Sequence, residues 1–223
     1  MTQNTRHKIA VIISLLFFCS TPGQDTREIT AAKVIDKLQQ NWDILEDCTL
    51  EMETYIKYCD DEHTRYYDYK FKKPKWIWVE IIDGPGKGTK LVHNPETNKT
   101  NVRASGILGL IPLSFSPDNP RIQSKRGHRT DNNHLGYIIE RWQNYLECCA
   151  PTIEIRDSVY VLDASGIDTI RFNGAYREVL FVDVELFSPM RYEQYSLSGE
   201  LIHRVSLFKI EHNVGLTLED FGI

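Results

Sequence analysis

The residue types that could do chemistry are all present, but their spacing commits them to none. The histidines His63, His93, His128, His134, His203 and His212 are scattered, with no H-x-H or H-E-x-x-H pattern to gather a metal. Cys48, Cys59, Cys148 and Cys149 contain no C-x-x-C, so a thioredoxin-like redox role lacks its motif. No G-x-S-x-G elbow offers a nucleophilic serine. Gly84-Pro85-Gly86-Lys87-Gly88 superficially resembles a phosphate loop. It lacks the G-x-x-x-x-G-K-[ST] spacing, and strand pattern follows it where a helix N-terminus would be needed, so it reads as a hairpin turn. Carboxylates such as Glu51, Glu53 and Glu80 have no assigned acid–base partner. The expectation is therefore a protein that is not an enzyme and needs no metal and no cofactor.

The elements around these residues are mostly strands. In Tyr66–Ala104, Tyr67, Tyr69 and Phe71 alternate with Asp68, Lys70 and Lys72, and Ile77, Val79 and Ile81 alternate with Trp76, Trp78, Glu80 and Ile82. Period-two alternation puts one apolar and one polar face on each strand. Pro74 has no N–H for a ladder and marks a strand end or an edge. Asp47–Cys59 reads as a strand before this meander, with Cys48, Leu50, Met52 and Ile56 on one side and Glu51, Glu53 and Lys57 on the other. Thr152–Ile210 reads as further short strands, including Leu180, Val182, Val184 and Leu186 on one face, Tyr192–Tyr195, and a last long strand from Leu201. The total is about nine to eleven strands.

Two amphipathic helices accompany them. Residues 27–45 carry Ile29, Ala32, Ile35, Leu38, Trp42 and Leu45 at three- and four-residue steps, with Asp25 and Glu28 as a capping pair. Asp131 or Asn132 is expected to cap a second helix running to about Ala150, with Leu135, Ile138, Ile139, Trp142, Leu146 and Cys149 on one side. Ser105–Pro120 is oily but broken by Gly and Pro, and reads either as a flap over an apolar surface or as ordinary core plugging. The basic run 121–130 reads as a solvated loop.

Residues 1–23 read as a processing signal, with Arg6, His7 and Lys8 before the short apolar run Ile9–Phe18 and a cut after Gly23. The whole chain carries a net charge of −5; removing Arg6 and Lys8 with the leader makes it −7. An acidic domain without a basic stripe argues against nucleic acid. Export would place the four remaining cysteines in an oxidising compartment, where Cys149 could bridge to Cys48 or Cys59; buried or free thiols are the equal alternative. No linker divides residues 24–223, which read as a single domain.

The run F-K-K-P-K-W-I-W-V-E-I-I-D-G-P-G-K-G, followed by L-V-H-N-P-E-T-N-K and V-R, resembles the LolA-like outer-membrane lipoprotein-sorting proteins. The ending F-S-P-M-R-Y-E-Q-Y-S-L-S-G-E-L-I-H-R-V and then N-V-G-L-T-L-E-D-F is similar to the same family's last strands and tail. S-K-R-G-H-R-T with G-Y-I-I-E-R resembles an uncharacterised branch. The resemblance implies an α+β fold: an unclosed antiparallel β-barrel whose concave face is covered by helices and a loop. It implies a periplasmic carrier that shields the acyl chains of a lipid or lipoprotein, working with an inner- or outer-membrane partner protein. The alternative is a non-catalytic envelope sensor or protein-interaction domain on the same fold. In the founding carrier a basic residue before the strand Pro helps latch the lid, and Lys73 matches it, without the guanidinium fork. Ile77 and Val79 match the family's apolar positions, and Leu50, Met52, Tyr67, Tyr69, Phe71 and Ile81 would extend the groove. Leu108, Leu110 and Ile111 would cover it.

Overall fold

A computed structural model describes residues 29–106 and 112–222. The leader reading, the Asp25–Glu28 capping pair and the expected cover residues Leu108, Leu110 and Ile111 lie outside the described residues.

One antiparallel sheet of eleven strands forms an unclosed barrel with two helices. A first meander holds β1 (Asp47–Tyr58), β2 (Asp61–Lys72), β3 (Trp76–Asp83), β4 (Lys90–Asn94), β5 (Lys99–Arg103) and β6 (Leu113–Phe115). A second holds β7 (Thr152–Arg156), β8 (Val159–Ser165), β9 (Arg177–Asp183), β10 (Pro189–Tyr195) and β11 (Leu201–His212). Each follows chain order, and they join where β1 pairs with β11, giving the order β6-β5-β4-β3-β2-β1-β11-β10-β9-β8-β7. The run of consecutive antiparallel neighbours is what short turns permit.

Gly84 stands in one of those turns. It holds φ +91°, and a Cβ there would meet the Thr64 carbonyl oxygen at 2.4 Å, so only glycine fits. Gly88 N–H donates to the Ile81 carbonyl at 2.7 Å and closes the β3–β4 hairpin, as a turn and not a phosphate cradle. β9 stops at Asp183, short of the expected Val184 and Leu186. Asp183 Oδ1 accepts from the Glu185 and Leu186 N–H groups at 2.9 and 2.7 Å, and this side-chain turn ends the strand and leaves Leu186 exposed.

Helix α1 (Ala31–Ile44) starts at Thr30, whose hydroxyl accepts from Lys33 N–H at 3.3 Å. Its buried stripe is Ala31, Val34, Ile35 and Leu38; Ala32, expected inside, faces solvent. Helix α2 (Leu135–Cys148) starts two to three residues later than expected, because His134 Nδ1 accepts from Tyr137 N–H at 3.1 Å and caps it. Asp131 instead sits buried in a 3-10 turn, Thr130–Asn132, and pairs with Arg129. The four cysteines are free: Cys48 lies buried among one hydrophobic cluster, and Cys149 packs against the other. Of the two readings of these cysteines, a bridge or free thiols, the structure has the second.

Two clusters fill the concave side. The larger joins α1 and α2 to the second meander through Val34, Leu38, Trp142, Tyr145, Leu162 and Leu180. The smaller gathers Leu45, Cys48, Met52, Tyr69, Phe71, Ile77 and Val79. Trp42 touches both. On the convex side Trp76 packs on Phe221 at 6.1 Å, and Trp78 lies between the ammonium groups of Lys70 and Lys90 at 5.0 and 5.7 Å.

Helix contact is closest at Gly136. A Cβ there would meet the Trp42 ring at 2.6 Å, and that ring packs against Phe71 and His134 at 5.2 and 5.5 Å, which also stack on each other at 5.8 Å. Gly136→Ala gains up to about 1 kcal/mol of helix propensity but meets an overpacking cost of about 1–3 kcal/mol. Urea unfolding is expected to show a net loss of stability.

Candidate functional site

The concave face is ordered by strand register. Directly opposed residues of an antiparallel pair share a face, so each register line is one row across the sheet. Cys48 lies beside Phe71, which lies beside Ile77. Two residues further along β1, Leu50 pairs with Tyr69, and Tyr69 with Val79. Met52 then stands between Tyr67 and Leu207, and Tyr67 pairs with Ile81. The next two rows change character. Thr54 stands between Arg65 and Val205, with Tyr192 beyond. Ile56 is followed by His203, Gln194 and Glu178. One end of the face is oily and the other polar, and Met52 marks the change.

Two adjoining hollows follow this division. The first, about 350 Å³, is lined from the sheet by Met52, Thr54, Ile56, Arg65, Tyr67 and Val79, among others. Its other wall comes from α2 and from the segment 122–134. The second, about 60 Å³, is lined by Trp42, Leu45, Cys48, Leu50, Tyr69 and Phe71, with α2 above. Met52, His134, Ile138, Tyr192 and Val205 belong to both.

The structure distributes the expected site residues accordingly. Met52, Tyr67, Val79 and Ile81 line the large hollow, and Leu50, Met52, Tyr69 and Phe71 the small one. Ile77 lines neither; it is fully buried in the core beneath. Lys73 also stands apart. Its Nζ donates to the Trp42 and Asp43 carbonyl oxygens at 2.7 and 2.9 Å and lies 5.2 Å from the Trp42 ring, so it caps the C-terminal end of α1.

The largest departure is the basic run expected to be a solvated loop. It folds over the polar end as a lid. Arg126 reaches the Lys57 carbonyl at 3.2 Å and the Asn173 carbonyl, and Lys125 pairs with Asp61. His128 turns inward, stacks on His203 at 4.1 Å and bonds Ser124 Oγ through Nδ1 at 2.9 Å. Tyr69 OH ties the end of the segment down at the Asn133 carbonyl, 2.6 Å away.

Beneath the lid lies a buried charged network. Glu178, fully buried, accepts from Arg141 Nε and Nη2 at 3.1 and 2.7 Å and from Trp142 Nε1 at 2.9 Å. Gln194 Nε2 donates to its other oxygen at 2.8 Å, and Gln194 Oε1 lies 3.2 Å from His203 Nδ1. Burial opposes the Arg141 charge, but Glu178 outweighs it, and the guanidinium pKa lies above its ordinary value. Burial, with Arg141 and Arg126 nearby, pushes His128 down to about 3. Burial and the charge of His128 carry His203 well below its usual range. Burial, with Lys75 nearby, takes His134 down to about 4. These rings are neutral near pH 7. None of Arg141, Glu178, Gln194 or His203 is among the expected site residues. Among the described residues no cluster of three His, Cys, Asp or Glu could hold a metal. The arrangement suits holding a molecule, with an oily and a polar end in one enclosure.

No protein-family model matches the sequence, and no curated protein matches it. Solved structures do. An uncharacterised conserved protein from Thermus thermophilus aligns over 86% of this chain and 93% of its own, with TM-score 0.54 and 9% identity. A LolA superfamily protein from Nitrosomonas europaea aligns over 86% and 97%, with TM-score 0.41 and 15% identity. An outer-membrane lipoprotein-sorting protein domain from Vibrio parahaemolyticus aligns over 86% and 97%, with TM-score 0.44 and 16% identity. The likeness is one of fold.

Two expectations follow from the network. Glu178→Ala leaves a buried guanidinium unpaired and is expected to cost about 3–5 kcal/mol in denaturant unfolding. The histidines give a pH dependence. His128 is neutral in the native state down to about pH 3, whereas an unfolded histidine protonates near its ordinary 6.5. Between those values the unfolded state binds more protons, so stability falls as pH falls through that window. Unfolding curves of His128→Gln from pH 7 to pH 3 are expected to have a shallower slope than the parent's.

Proposed function

We propose that this chain is a cell-envelope carrier or binder of an acylated ligand, a lipid or a lipoprotein. The single observation behind this reading is the pair of adjoining hollows between the curved sheet and its helical cover. A volume of about 350 Å³ falls within the range of small-molecule sites. The oily extension past Met52 leads toward Leu50 and Phe71. Hydrocarbon taken from water into such a groove gains about 0.8 kcal/mol per CH₂. Export through residues 1–23 would place the protein in the periplasm, where an acyl chain crossing water needs cover.

Leu50 is the position to test, since it lines the small hollow and is only partly buried. Leu50→Glu is expected to weaken binding of a fluorescent fatty acid by about tenfold or more while leaving the unfolding free energy within about 1 kcal/mol of the parent's. Native mass spectrometry of gently purified protein supplies the second check. Co-purifying lipid supports carriage; a lipid-free protein whose probe binding is insensitive to Leu50→Glu favours an interaction domain instead.

A further inference from the structure

The large hollow has a charge pattern that the acidic chain around it does not predict. Four arginines line it: Arg65, Arg129, Arg141 and Arg171. Three histidines join them, His128, His134 and His203, and no aspartate or glutamate is among the lining residues. Arg129 is neutralised by Asp131 and Arg141 by Glu178. Arg65 and Arg171 make no ion pair within 4.0 Å among the described residues. Arg171 donates instead to Asn144 Oδ1 at 3.1 Å. Buried polar atoms also lack partners here: Arg65 Nε, His128 Nε2 and His134 Nε2. Unmet donors in a walled cavity are costly unless something arrives to accept from them.

We infer that the polar end of this cavity binds an anionic head group, carboxylate or phosphate, of a ligand whose hydrocarbon tail runs along the sheet past Met52 toward Leu50 and Phe71. The inference rests on the carrier reading and narrows its cargo to an acidic amphiphile. The geometry supports the pairing of head and tail. From Ile56 to Leu50 on β1 is six residues, about 20 Å of strand, and the face changes from basic to apolar over that length. A guanidinium matches either oxyanion through paired N–H donors. The low His128 pKa agrees in part: burial lowers it most, and the charges of Arg141 and Arg126 resist a further proton there.

Three single-chain amphiphiles of equal tail length test this by displacement of a fluorescent probe: palmitate, palmitoyl lysophosphatidate and neutral monopalmitin. Inorganic phosphate is measured alongside. The expectation is that at least one anion binds about tenfold or more tighter than monopalmitin. The preferred anion tells whether the head is carboxylate or phosphate. Arg65→Gln is expected to remove that preference and leave monopalmitin affinity unchanged. Arg171→Gln, at an exposed position that tolerates change, is expected to reduce it in the same direction. Equal affinity for all three amphiphiles overturns the head-group site and leaves the carrier reading standing. Phosphate binding as tightly as lysophosphatidate, with the tail contributing nothing, overturns the carrier reading and supports the anion site. Binding of none of them overturns both.

Discussion

Everything on the concave side depends on one buried carboxylate. Glu178 projects from β9 into the space under α2 and accepts N–H bonds from Arg141, Trp142 and Gln194. An isolated ionised carboxylate at that depth would be prohibitive; four donated bonds and one opposite charge make it tolerable. The consequence is positional. Arg141 and Trp142 are consecutive on α2, so a single acceptor fixes both the depth of the helix over the sheet and its rotation. Gln194 then holds His203, and His203 carries the stacked His128 of the lid. A helix packed by apolar contact alone could slide down onto Met52 and close the hollow. Held by this network, it stays where the cavity needs its roof.

The same constraint divides the enclosure. Along β1 the side chains on the concave face run Cys48, Leu50, Met52, Thr54, Ile56, and their neighbours on β2 run Phe71, Tyr69, Tyr67, Arg65, His63. The oily half closes against α1 and α2 around Trp42. The polar half does not close on itself: Arg129 and Arg141 have their carboxylates, but Arg65 has none within 4.0 Å among the described residues and its Nε, with His128 Nε2 and His134 Nε2, stays without a partner. It is therefore covered by a segment that brings hydrogen bonds of its own, from Ser124 and Asn133. An enclosure built this way is neither a dry groove nor a water-filled cleft. It is an amphipathic container.

The strands were legible in the sequence where period two is a strong local signal, as in β1, β2, β3 and β9; the β1–β11 seam joins the two ends of the chain and has no local cue. The helix stripes were legible to within one residue, and the starts were not. Thr30 and His134 cap the helices, and a histidine nitrogen accepting from a backbone N–H has no composition cue. The site was half legible. Leu50, Met52, Tyr67 and Phe71 follow from the oily face. The polar half was hidden because polar residues in a strand are read as outward. Yet Glu178 stands at the same parity as Leu180 and Val182, and Arg141 three residues after Ile138 on the helix stripe. Parity alone placed both inside; only the assumption that charges face water put them out. The lid was missed for a related reason. Arg126 and Lys125 find their acceptors at Lys57 and Asp61, some sixty residues away in the chain, and no local pattern encodes a contact of that range.

How the tail end opens can be argued from what closes it. The small hollow, about 60 Å³, is the share of liquid volume of about two water molecules, far less than a long acyl chain. The closure is made by stacking, not by covalent or ionic ties: Trp42 lies against Phe71 and His134, and Lys73 holds the last carbonyls of α1 just below it. Aromatic pairs of this kind are worth about 0.5–1.5 kcal/mol each beyond their area, and a few buried CH₂ groups at about 0.8 kcal/mol apiece match that. The polar end is far more expensive to disturb, since moving α2 there would expose Arg141 and Glu178 to separate fates. The two ends are thus unequal hinges. A ligand entering tail-first must part Trp42 from Phe71 and His134 while the Glu178 network keeps the roof in place. On the carrier reading the oily end is the one to open, because it is held by the weaker contacts.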